Sequence, residues 1–144
     1  MTNICRNNND ASCLDGETDL SKLIRGISPE LHEGEYVFCT VPEVRLPVGI
    51  EPLCLFREQE GTTIILPYQQ AEQLKLPYSF VSAWITLKIH SALTAVGLIA
   101  AISHELAKAG ISCNVISAYY HDHLFVPIEE AQRTLTVLNK ISKV

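Results

Sequence analysis

A chain of 144 residues, 47% apolar and 19% charged, is long enough for one compact unit or two small subdomains sharing a core, and its composition excludes wholesale disorder. The net charge of −5, with Lys and Arg scattered along the chain, argues against a nucleic-acid backbone as partner. The longest weakly polar run, Ala92 to Ile102, is too short to span a bilayer and is interrupted by Thr94 and Gly97.

Met1 to Thr18 is rich in Asn, Asp, Ser and Thr and lacks the apolar run of a signal peptide, so residues 1–18 are expected to form a disordered leader of a cytoplasmic protein. Asp19 to Gly26 reads as a short helix with Leu20, Leu23 and Ile24 on one face, and Ser28-Pro29-Glu30 as a turn. Glu35 to Val41 is a strand, and Pro42 to Pro52, with three prolines and a glycine, an irregular connection. Leu53–Glu58 and Thr62–Leu66 flank Gln59-Glu60-Gly61 as a hairpin, and Pro67 opens a short helix through Leu74.

Between Trp84 and His90, Ile85, Leu87 and Ile89 alternate with polar or aromatic residues, which predicts a strand with one aliphatic face. Ala92 to Ala109 reads as a helix whose stripe is Val96, Ile99, Ser103 and Leu106, broadened by Ala100 and Ala107 and ended by Gly110. Ile111 to Tyr120 reads as a strand, His121-Asp122 as a turn and Leu124–Val126 as the return strand. A last helix opens at Pro127 and buries Ile128, Ala131, Leu135, Leu138 and Ile141. The second half is therefore β-α-β-β-α, a ferredoxin-like α+β plan (βαββαβ) lacking its closing strand, which the first half or another subunit must supply.

Cysteines at 5, 13, 39, 54 and 113 are odd in number, widely spaced and without a Cys-x-x-Cys, which excludes the common zinc-ribbon and thioredoxin-like patterns. Reduced thiols are expected, with Cys39 and Cys113 as small core residues. No phosphate loop, nucleophile elbow or His-Glu-x-x-His is present.

The run from Thr94 to Ile116, a loop leading through a glycine into a helix and then Ala109-Gly-Ile-Ser-Cys-Asn-Val115, resembles the ACT domain pattern. Tyr119 to Val126, with Asp122 ahead of an apolar trio, resembles the ACT-like subfamily that includes the CASTOR arginine sensors. With Glu35–Thr40 and Glu58–Pro67, the chain from Leu20 to Ile141 resembles small bacterial proteins made of tandem ACT-like subdomains, the first atypical. The resemblance implies subdomains at 19–76 and 77–144, a non-catalytic regulatory role without a cofactor, a small-molecule ligand such as an amino acid, and a homodimer. The family often has an acidic residue and a proline before the loop glycine. Thr94 and Val96 stand there instead, which removes one contact to a ligand's ammonium.

Free amides at the start of the helix near Val96 and Gly97 favour an anion. Gly97 either admits a ligand or relieves packing between helix and sheet. Asp122 either receives an ammonium or guanidinium group or serves its own turn. The candidate ligand-binding residues are Thr94, Val96, Gly97, Asn114, Ser117 and Asp122. Two other readings are an interaction module without ligand, and a metal-dependent enzyme using His121, Asp122 and His123. Neighbouring strand residues point to opposite faces, which opposes the metal reading.

Overall fold

The computed structural model describes residues 16–42, 46 and 48–143. The expected leader lies outside these residues up to position 15. Within the remaining stretch, Glu17 forms a parallel bridge with Ser91.

Helix α1 (Leu20–Gly26) starts at Asp19, whose carboxylate accepts the Lys22 amide, and buries Leu23. Strand β1 (Pro29–Leu31) replaces the turn expected at Ser28 to Glu30. Its pairing to a distant strand is a long-range gain that local turn chemistry does not report. Strands β2 (Tyr36–Val41), β3 (Cys54–Arg57) and β4 (Thr62–Pro67) follow, with helix α2 (Tyr68–Gln73) after β4. The β3–β4 hairpin closes with the Glu58 amide on the Gly61 carbonyl at 2.8 Å.

Strand β5 (Val81–Leu87) leads through a loop to helix α3 (Leu98–Lys108). The helix is shorter than the expected Ala92 to Ala109, because residues 92–97 form the loop. Its buried stripe is Leu98, Ile102 and Leu106, whereas Val96, Ala100 and Ala107 are exposed. The alanine-rich stretch holds two plausible apolar stripes, and only the packing decides between them. Gly110, at φ +72°, ends α3 in a Schellman motif: the Gly110 and Ile111 amides reach the Ala107 and Leu106 carbonyls, both at 2.9 Å. Strand β6 is only Asn114–Ser117, not Ile111 to Tyr120. The turn lies at residues 118–121, closed by the Ala118 amide on the His121 carbonyl at 3.0 Å, so Asp122 begins strand β7 (Asp122–Pro127). A 3-10 turn over Ile128–Glu130 leads into helix α4 (Ala131–Ile141), which buries Ala131, Thr134 and Leu138.

The strands form one antiparallel sheet in the order β3-β4-β2-β5-β7-β6, with β1 also on β5. Strands β1 and β2 meet the same edge of β5 in succession, Leu31 opposite Ile85 and Tyr36 opposite Ser82. The start of β5 thus closes the first ferredoxin-like unit, β3-β4-β2-β5. Its later residues open the second, β5-β7-β6, and take β1 as their closing strand. The strand missing from the second half comes from the first half of the same chain. In the first unit, Ile50, between β2 and β3, joins the core.

The period of two in β5 sends Ala83, Ile85 and Leu87 into the core beneath α1, α3 and α4, together with Leu23, Leu124, Val126 and Leu138. Val37, Cys39, Val41, Ile64 and Leu66 form a second core with Ala71 of α2. Both cores lie on one face of the sheet. The other face carries Tyr36, Phe38, Trp84, Thr86, His123 and Phe125, with Phe38 edge-on to Phe125 at 5.3 Å. Cys39, Cys54 and Cys113 are free thiols, and burial pushes the Cys113 thiol up to about 11, consistent with inert packing.

Candidate functional site

A cleft of about 160 Å3 lies between the β5–α3 loop and the β6–β7 hairpin, lined among others by Ser91, Gly97, Leu98, Ile99, Ser117 and Asp122. Gly97 is the N-cap of α3 at φ +100°, a conformation that L side chains rarely adopt, and no side chain caps the helix there. The first internal bond of α3 runs from the Ala101 amide to the Gly97 carbonyl at 2.9 Å. The amides of residues 98–100 therefore have no acceptor within the helix and present the positive end of its dipole.

Asp122 stands in the same cleft with only 7% of its surface exposed. In register it lies opposite Leu87 on one side and Ser117 on the other, so all three project toward the helices. Its described partner is the Ser91 hydroxyl, which donates to Oδ2 at a long 3.4 Å. Donor amides and a buried carboxylate thus face one small space.

The loop is held from outside by Glu17, ahead of α1. Glu17 donates its amide to the His90 carbonyl at 2.9 Å and accepts the Ala92 amide at 3.0 Å. A Cβ on Gly97 would sit 3.1 Å from Leu20 of α1, so packing accounts for part of this glycine and backbone geometry for the rest.

The six candidate residues separate in space. Gly97, Ser117 and Asp122 converge on the cleft. Thr94 and Val96 are exposed outside it, Val96 at 82%, because the loop carries them away before the helix begins. Asn114 lies opposite Phe125 on the helix-free face and cannot reach the cleft. Ser91 and Glu17 had no sequence signal, since their roles depend on pairing across some seventy residues.

The His121-Asp122-His123 trio is split as strand geometry demands: Asp122 faces the helices, while His123 opposes Thr86 on the other face. There Trp84 Nε1 donates to His123 Nδ1 at 3.1 Å, and His32 stacks on Trp84 with ring centroids 3.5 Å apart. Burial lowers the pKa of both His123 and His32. Among the described residues, no group of three or more His, Cys, Asp and Glu side chains is arranged to hold a metal ion. No described helix is long and apolar enough to cross a membrane.

The architecture, two ferredoxin-like units sharing strands of one antiparallel sheet with a helix N-terminus opposed by a hairpin, is that of a tandem α+β module. Two ACT domain models match in tandem, at residues 15–83 and 79–140, and the chain belongs to the ACT domain family. It is similar to a crystal structure of a Vibrio cholerae protein of unknown function, described as a possible transport protein. Identity is 45% over 85% of this chain and 95% of that one, with a TM-score of 0.77. An Agrobacterium tumefaciens protein is 19% identical over 81% of this chain and 89% of its own, with a TM-score of 0.63. The regulatory subunit of aspartate kinase from Thermus flavus shares the fold at 10% identity, covering 81% and 96%, with a TM-score of 0.55. No curated protein matches the chain.

Proposed function

We propose that this protein is a non-catalytic cytoplasmic regulator that binds a small amino acid in the cleft between α3 and the β6–β7 hairpin. The observation that carries the reading is the buried Asp122 carboxylate sharing one small cleft with the uncapped N-terminus of α3. A zwitterion matches both ends: its carboxylate takes the helix amides and its ammonium takes Asp122. Asp122 on the hairpin thereby supplies the acidic contact that Thr94 and Val96 do not. Ser117 is placed to select among side chains, and a cleft this small, below the usual range of about 300–1,000 Å3 for drug-sized ligands, favours a short one.

Leu93 and Val96, 68% and 82% exposed beside the cleft, support a homodimer in which a second copy covers this loop. The deciding experiment is a thermal-shift screen of the amino acids at millimolar concentration, followed by calorimetry on any hit. A concentration-dependent rise in melting temperature for small amino acids is expected. Flat melting curves across the panel overturn the reading in favour of an interaction module without ligand.

A further inference from the structure

A larger groove lies away from the cleft, between α1, α3 and α4, with a volume of about 730 Å3. That is within the range of about 300–1,000 Å3 typical of small-molecule sites. Its floor is apolar: Ile24, Ala101, Val137 and Ile141, all half-buried. Its rim carries Arg25, Lys108 and Lys140, with His104 beside them and Glu105 as the acidic residue lining it. Glu105 is already held by Lys108 at 3.0 Å. The groove is thus cationic on a chain whose net charge is −5.

Each of these cations stands in the last turn of its own helix, where a positive charge offsets the helix dipole. The dipole explains why each helix ends in a base. It does not explain why three such ends gather around one apolar trough. Long basic side chains can lay their stems along that floor and keep their charges at its rim.

We infer that this groove binds a small anionic amphiphile, an apolar chain ending in a carboxylate or phosphate, with the chain on the Ile24–Val137–Ile141 floor and the anion between Arg25 and Lys140. The site is independent of the amino-acid cleft, so either reading can fail alone. Decanoate titrated calorimetrically into the full chain, below its micelle concentration, should bind saturably, and decyltrimethylammonium should not. Arg25→Glu with Lys140→Glu should weaken decanoate at least tenfold, and the milder Arg25→Gln with Lys140→Gln should act in the same direction. Ala101→Leu, which fills the floor and keeps every charge, should weaken it as well. Decyl phosphate tests the second head group. Absence of saturable decanoate binding overturns the inference, as do equal affinity for the cationic amphiphile and indifference to the charge changes. Sedimentation with anionic vesicles without binding of monomeric decanoate overturns it too, in favour of a membrane surface.

Discussion

The indole N–H of Trp84 donates to Nδ1 of His123 at 3.1 Å across two paired strands, which fixes that nitrogen as an acceptor and leaves the imidazole proton on Nε2. Thr86 Oγ1 lies 2.9 Å from the same nitrogen and 2.7 Å from Nε2 of His32. Its hydroxyl therefore donates to His123 and accepts from His32. Protonating Nδ1 of His123 would set it against the Trp84 N–H and break that bond, while the Thr86 hydroxyl would have to turn from donor to acceptor.

Stability should consequently depend on pH through these histidines. Burial first, then the neighbouring His121 and His32, hold His123 below its ordinary value of 6.5, against the opposing pull of Asp122. Burial likewise lowers His32. A histidine depressed in the folded state leaves the unfolded chain binding more protons as pH falls below 6.5. Stability should then be full above that value, decline below it, and level off beneath the folded pKa. Thermal melts from pH 7.5 to 5 should show this decline, and His123→Phe should flatten part of it. A wild-type melting temperature constant across that range contradicts the account.

Gly97→Ala should destabilise the protein by about 1–3 kcal/mol, because alanine is strained at φ +100° and its Cβ would press on Leu20. Urea denaturation measures it. Adding Leu20→Ala should relieve the crowding and leave the backbone part, so the pair should recover only some of the loss.

Asp122→Asn should abolish binding of an amino acid in the cleft while changing stability by no more than about 1 kcal/mol, since its described bond to Ser91 is long. Calorimetry gives the first quantity and chemical denaturation the second. Undiminished affinity would remove Asp122 from the site.

Leu23→Ala tests the exchange of elements between the halves. Leu23 is fully buried in the core formed by α3, α4, β5 and β7, so the loss should be about 2–5 kcal/mol. If α1 were peripheral, the same change would cost little.

Much of the fold was legible locally. The alternation in β5, the glycine after α3, the proline ahead of α2 and the stripe on α4 each express a backbone period or a fixed φ that neighbouring residues determine. The α3 stripe was misphased because alanines satisfy two faces almost equally. Strand β1 was missed because Ser28-Pro29-Glu30 has turn chemistry, and its strand character comes only from pairing with β5.

The ferredoxin-like order of the second half and its missing closing strand follow from the sequence alone, because element order and hydrophobic period are local properties. Which strand fills the gap was decided by tertiary structure: β1 and β2 share one edge of β5, a pairing across some fifty residues that no local pattern encodes. The cleft divides in the same way. Gly97 and Asp122 could be named from residue chemistry, but only the register, which turns Ser117 and Asp122 toward α3 and Asn114 to the opposite face, determines which candidates meet.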